Sequence, residues 1–257
     1  MNIDRVAVIL YTFRDFVKTA EGFQETIEKI AGIGYRAIQI SGMAPDVLPP
    51  QDIARRCNDL DITICATHEA PDQILRNPVG VAQRLRALGT TYTAYPFPTG
   101  VDFSDAQAVD TFLSDLGDAT TALKEEGITL CYHNHALEFF RPEEKTIYQR
   151  IFEETPIQAE LDTYWVQAGG ANPLDWVRRL QGKIPLLHLK DMRVDAKQQQ
   201  QFAEIGSGNI EFSPIIEAAE AGGCQWFIVE QDNCYDKTPF ESAAESFAYI
   251  QAHLVSG

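Results

Sequence analysis

Eight short β-prone runs, beginning near Val6, Ala37, Ile62, Thr91, Ile128, Gln158, Pro185 and Trp226, alternate with segments of helical spacing such as residues 23–31 and 109–116. This alternation constrains the fold more than anything else in the chain, because consecutive strands separated by helices pair in parallel. Several helical segments run into glycine just before the next strand: Gly32 and Gly34, Gly89, Gly127, Gly222 and Gly223. Glycine suits that place because the residue after a helix often needs a positive φ. Eight such units in 257 residues match the count of a (β/α)8 TIM barrel, read as one α/β domain over residues 1–257. A doubly wound sheet would want a glycine-rich turn after the first strand. The stretch from Leu10 to Asp15 holds no glycine.

Charge narrows the partners. With 37 acidic and 21 basic side chains the net charge is −16, and no run of Lys or Arg exceeds a pair. Such a surface repels phosphate backbones and anionic membranes, so neither nucleic acid nor a membrane is an expected partner. No apolar stretch approaches the roughly 20 residues that span a bilayer, and the N-terminal residues show no secretory signal. Cys57, Cys65, Cys131, Cys224 and Cys234 form an odd set without a Cys-x-x-Cys pair, which reads as reduced thiols in a cytoplasmic protein.

Strand parity points to a working end. In the fifth run Ile128, Leu130 and Tyr132 alternate with Thr129, Cys131, His133 and His135; in the sixth, Gln158, Glu160 and Asp162 alternate with Ala159 and Leu161. A packed barrel interior prefers branched apolar side chains, so polar inward residues near strand C-termini mark a site. The last four strands end in His133-Asn134-His135-Ala-Leu-Glu138, Leu161-Asp162-Thr163, His188-Leu-Lys190-Asp191 and Val229-Glu230-Gln-Asp232. Glu138, Asp162, His188 and Glu230 supply one side chain from each. Their carboxylates and imidazole suit an octahedral divalent ion, Mn2+ or Mg2+ first, with Co2+ or Zn2+ as further choices. His133 reads as a hydrogen-bonding residue rather than a ligand. Glu160, deeper in the barrel, reads as a group that orients a ligand or as part of a structural ion pair. Gly206-Ser207-Gly208 reads as a turn rather than a phosphate nest, because that loop holds no Lys or Arg.

Those four segments, in that order, resemble the xylose isomerase-like TIM barrels, a group of sugar phosphate isomerases and epimerases related to ketose 3-epimerases and inosose dehydratase. Residues 10–15 and 206–212 resemble the same family, so the likeness runs along nearly the whole chain. The resemblance implies carbohydrate metabolism and an isomerase or epimerase, its metal held by Glu138, Asp162, His188 and Glu230. It also implies that Glu138 and Glu230 exchange the proton beside a carbonyl through an enediolate, which Lys190 would stabilise. His68, His135, Trp165 and Gln39 are the expected substrate contacts, and a homodimer is a further expectation. Gln39 stands where the ketose 3-epimerases usually carry a glutamate, and Thr163, Tyr164 and Trp165 follow Asp162 where they place a histidine. These departures turn the reading away from free ketohexoses and toward an inosose-dehydratase-like or keto-glycoside-processing lyase as the alternative. A non-catalytic sugar-binding barrel is the remaining alternative. Phosphodiester hydrolysis, as in the related endonucleases, would need more than five histidines and a basic groove.

Overall fold

All eight expected strands form. In the computed structural model, which describes residues 1–255, β1 (Val6–Ile9), β2 (Ala37–Ile40), β3 (Thr63–His68), β4 (Tyr92–Tyr95), β5 (Thr129–His133), β6 (Gln158–Asp162) and β7 (Leu186–Leu189) precede a hairpin. That hairpin consists of β8 (Asp191–Val194) and β9 (Gln200–Ala203), and β10 (Trp226–Val229) follows it. The barrel strands close in the order β1-β10-β7-β6-β5-β4-β3-β2, every pairing parallel. Helices lie between the strands and cover the outside. Among the described residues no helix is long and apolar enough to cross a membrane.

The period of two along each strand separates two cores. Outward residues such as Val6, Val8, Ile38, Leu130, Tyr132, Leu161, Leu187 and Phe227 pack beneath the helices in one large cluster. Inward residues Ala7, Ile9, Ala37, Cys65, Ala66, Ala94, Cys131, Leu186 and Ile228 form a smaller one inside the barrel. The interior filling is apolar at this level and becomes polar one layer higher, with Gln39, His133, Glu160 and His188 all buried. One strand breaks the alternation. Ile38 of β2 pairs with Ile64, but Gln39 pairs with Ala66, so β3 carries an extra residue there. Cys65 and Ala66 both join the interior cluster, and His68 consequently turns inward, where uninterrupted parity would have sent it out.

The hairpin β8–β9 was not foreseen from the sequence. It rises from the C-terminal end of β7, and the loop after it is fixed by Asp191. Asp191 Oδ2 accepts from the backbone N–H of Gly206 and Gly208, and Oδ1 from those of Met192 and Ile210. Gly206 is required by its φ of +87°, and Gly208 by the close approach of Asp191, whose Oδ1 would stand 2.2 Å from a Cβ there. The loop does wrap an anion, but the anion is the chain's own carboxylate. Replacing Asp191 by alanine would strand these N–H groups; we expect Asp191→Ala to lower the unfolding free energy by about 2–4 kcal/mol in urea titrations. A loss below about 0.5 kcal/mol would mean that the loop holds its shape unaided.

Candidate active site

The C-terminal rim is locked by side chains that extend the strand ladders. Asn134, after β5, accepts at Oδ1 from the Asp162 N–H (3.0 Å) and the Tyr148 hydroxyl (2.9 Å). Thr163 Oγ1, after β6, accepts from the Lys190 N–H (3.1 Å), and its hydroxyl hydrogen faces the carbonyls of His188 and Lys190. Thr12 Oγ1 accepts from the Gln231 N–H (3.0 Å), tying β1 to the end of β10. Asp162 is the N-cap of the helix Thr163–Ala168: its Oδ1 accepts from the Trp165 N–H at 2.8 Å. The cap fixes that carboxylate and leaves Oδ2, buried and without a partner, directed at the site.

Four side chains converge there: His133, Asp162, His188 and Glu230, each buried, with one donor atom apiece within 4.8 Å of the others. His188 Nδ1 stands 2.8 Å from Glu230 Oε2 and 3.9 Å from Asp162 Oδ2. Lys190, 1% exposed, places Nζ 2.9 Å from Asp232 Oδ2, 3.2 Å from Glu230 Oε2 and 3.9 Å from Asp162 Oδ2. Beneath this layer Glu160 receives Gln39 Nε2 at 2.6 Å and His68 Nε2 at 2.5 Å, with His188 Nε2 and His133 Nδ1 each at 3.3 Å. Above it opens a pocket of about 360 Å³ bordered by Tyr11, Ser41, His68, Phe97, His135, Trp165 and Lys190. A cavity at the opposite end, around Tyr92, Lys124 and Gln158, contains no carboxylate or imidazole.

Three of the four expected ligands are brought together in the structure. Asp162, His188 and Glu230 come together; Glu138 does not join them. It lies past the strand, in the short 3-10 helix Ala136–Phe139, where the turn carries its carboxylate back under the helices. There Oε1 accepts from the Tyr132 hydroxyl (2.9 Å) and Oε2 from the His135 N–H (2.7 Å). His133 stands in the fourth place and also keeps the hydrogen-bonding contact expected of it, its Nδ1 lying 3.3 Å from Glu160 Oε2. The signal was present: His133 shares the inward face with Cys131, and Glu138 stands beyond the last residue that strand parity governs. Gln39 is also misplaced by the sequence reading, being wholly buried behind His188 and outside the pocket lining. His68, His135, Trp165 and Lys190 do border the pocket. Ser41 and Asp232 border it too, although the sequence reading assigned neither a role.

The electrostatics call for positive charge. Burial pushes the Asp162 carboxyl up to about 7, against the pull of Lys190 and with the help of Glu230's charge. Burial also opposes ionisation of Glu230 and Glu160, but Lys190 and His188 hold Glu230 well below the carboxylate range, and His188 and His68 do the same for Glu160. Burial disfavours a charged His188, yet Glu160 and Glu230 raise it to about 10. Burial lowers His135 to about 2, leaving a neutral ring between Phe97 and Trp165. The carboxylates of Glu160, Asp162, Glu230 and Asp232 thus outnumber the nearby cations. A divalent ion fits this donor set, because Asp162 Oδ2 is a buried polar atom without a hydrogen-bond partner, while His133 Nδ1 faces Glu160 Oε2 at 3.3 Å and leaves its other ring nitrogen for a ligand.

A closed parallel barrel with its titratable cluster at the strand C-termini defines the class: a TIM barrel whose rim carries the chemistry. The chain belongs to the xylose isomerase-like TIM barrel family, whose model matches residues 27–253. It is 30% identical over 159 residues to an inosose dehydratase of Geobacillus thermodenitrificans (strain NG80-2), an alignment covering 54% of this chain and 51% of that protein. The chain thus spans about half the length of the curated relatives it matches. A solved sugar phosphate isomerase/epimerase from Parabacteroides distasonis ATCC 8503 superposes with a TM-score of 0.81 at 20% identity, covering 98% of this chain and 95% of that one. An L-ribulose 3-epimerase structure superposes at 0.72 with 18% identity, covering 100% and 99%. These two structures share the fold with this chain.

Glu138 gives a test of the geometry. Burial raises its carboxyl from 4.5 to about 7, opposed by the Tyr132 and His135 hydrogen bonds. The folded state therefore prefers the protonated acid: the associated stability is full below about 4.5 and is lost as pH rises through about 7. Glu138→Gln mimics the neutral acid, so urea unfolding of this variant should match the parent at pH 5 and exceed it by about 2–3 kcal/mol at pH 8. Parallel pH profiles for the two proteins would place Glu138 in a solvated or cation-bound setting instead.

Proposed function

We propose that this protein is a divalent-metal-dependent enzyme that removes a proton beside the carbonyl of an unphosphorylated keto-sugar or keto-cyclitol and expels a neighbouring hydroxyl, a dehydratase of the lyase class. The observation that carries this reading is the turn of Glu138 into the protein, which leaves Glu230 as the pocket's glutamate. Inverting a carbon takes two proton-transfer groups on opposite faces, whereas elimination takes one base and an acid for the departing hydroxyl. The partial match to an inosose dehydratase supports the same direction.

His133, Asp162, His188 and Glu230 would hold the ion, Mn2+, Mg2+ or Co2+ suiting the mixed nitrogen and oxygen donors. When bound, it would polarise the substrate carbonyl and acidify the adjacent C–H. Glu230, held ionised by Lys190 and His188, accepts that proton and, now an acid, hands it to the departing hydroxyl, which leaves as water as the C–C double bond forms. Lys190 Nζ, fixed between Glu230 and Asp232, offers positive charge to the oxyanion that develops. His135 Nδ1, Trp165 Nε1 and Asp232 Oδ1 have no protein partners, and each belongs to a residue bordering the pocket, ready for substrate hydroxyls. Trp165, Phe97 and Tyr11 supply apolar surface for the C–H face of a ring. Two places where a phosphate could be held are already taken: the nest after β9 is filled by Asp191, and Lys190 is matched by carboxylates. Isomerase or epimerase action remains the second reading, favoured by His68, an imidazole reaching the pocket from β3.

The test begins with metal content after loading with Mn2+, Mg2+ or Co2+, followed by incubation with neutral ketoses and keto-cyclitols in D2O. Metal-dependent loss of water to a conjugated, ultraviolet-absorbing product is the expected result. Deuterium incorporation with inversion and no loss of water would establish the epimerase instead. Failure to bind any of the ions would overturn the metal-dependent reading. Glu230→Gln should lower turnover by at least about 1,000-fold, and Glu138→Gln should keep full metal stoichiometry.

A further inference from the structure

We infer that Glu160 sets the proton positions of the three histidines that face it, His68, His133 and His188, and thereby decides which atoms the site presents to metal and to substrate. A carboxylate only accepts hydrogen bonds, so a nitrogen that faces Glu160 must be the one carrying hydrogen. Gln39 Nε2 donates to Glu160 Oε1 at 2.6 Å, which fixes the direction of the amide. Its other end, Oε1, is then an acceptor, and His188 Nε2 faces it at 2.9 Å. The same nitrogen lies 3.3 Å from Glu160 Oε2, a second acceptor. His188 therefore keeps hydrogen on Nε2, and Nδ1, beside Glu230 and Asp162, is the nitrogen that would give up its proton to an incoming ion.

The second branch runs to the pocket. His68 Nε2 donates to Glu160 Oε2 at 2.5 Å, so Nδ1 of a neutral His68 is an acceptor. The Ser41 hydroxyl stands 3.1 Å from that Nδ1 and donates to it. Its oxygen is left with lone pairs for the pocket it borders. Ser41 consequently recognises a hydrogen-bond donor, a substrate hydroxyl rather than a carbonyl or a fully ionised phosphate. Glu160 and Gln39 are positioning residues in this scheme, since neither borders the pocket. The His188 branch rests on the metal reading above; the His68 branch does not.

Long-range 1H–15N spectra of histidine-labelled protein at pH 8.5 read the proton positions directly, and Zn2+ titration calorimetry reads the ion affinity. Metal-free wild type should show His68 protonated at Nε2, and Ser41→Ala should leave that signature unchanged because it is set from the Glu160 side. Gln39→Met should weaken Zn2+ binding about 10- to 100-fold with the His68 signature intact. Glu160→Gln, which replaces one acceptor by a donor, should shift His68 toward Nδ1 protonation or weaken Zn2+ binding to the same extent. His68 protonated at Nδ1 in the wild type, or Zn2+ affinity unchanged within twofold in Gln39→Met, would overturn the corresponding branch. If wild type binds no Zn2+, the metal reading falls with the His188 branch, and the His68 spectrum still decides the other. These arms remain decisive should Glu160→Gln fail to fold.

Discussion

A wholly buried carboxylate at the centre of a barrel is the constraint on which this site depends. An unpaired ion there would cost several kcal/mol in lost hydration. Glu160 meets that cost with Gln39 from β2, His68 from β3, His133 from β5 and His188 from β7, so one carboxylate ties inward side chains from four other strands. The arrangement is not the most stable filling a barrel could have, since apolar side chains of similar volume often serve as well or better. What it adds is direction. Each of these partners has a donor end and an acceptor end, and the carboxylate aligns them.

The rim above is organised by the same kind of economy. Asp162 uses one oxygen to cap a helix and leaves the other for the site, while Asn134 and Thr163 hold the strand ends on either side of it. Orientation is therefore supplied by groups already engaged with the backbone, and little side-chain freedom remains to be lost when a ligand arrives. The excess of negative charge is the counterpart. The Asp162 carboxyl is pushed to about 7 because burial and Glu230 outweigh the pull of Lys190 and His188, which makes the cluster receptive to a cation.

The barrel was legible because its signal is periodic. Each strand begins within a residue of the place its β-prone run announces, and the inward positions of β5 and β6 are those that parity names. Three local events escaped that reading. The extra residue in β3 reverses parity and turns His68 inward, and neither Cys65 nor Ala66 announces it. The 3-10 turn after β5 carries Glu138 away from Asp162, His188 and Glu230, a separation that a motif match at the level of sequence does not show. The nest at Gly206–Gly208 looks like a turn because its anion, Asp191, comes from the other side of a hairpin that only tertiary structure reveals. Periodic features are encoded locally, whereas each of these depends on how one segment meets another.

The fate of Glu138 also bears on the chemistry. A carboxyl lodged under Tyr132 favours its protonated form, and an acid of that kind is a poor ligand and, with no route to the pocket lining, a poor base. The proton-transfer capacity of the site is consequently asymmetric: an ionised glutamate beside Lys190 on one side, and on the other a histidine whose Nδ1 already receives the Ser41 hydroxyl. Asymmetry of this sort suits a reaction in which a single glutamate takes a proton from carbon and returns it to a departing hydroxyl, while the histidine side orients the substrate. A pair of equivalent glutamates would serve reversible inversion, and this interior does not supply that pair.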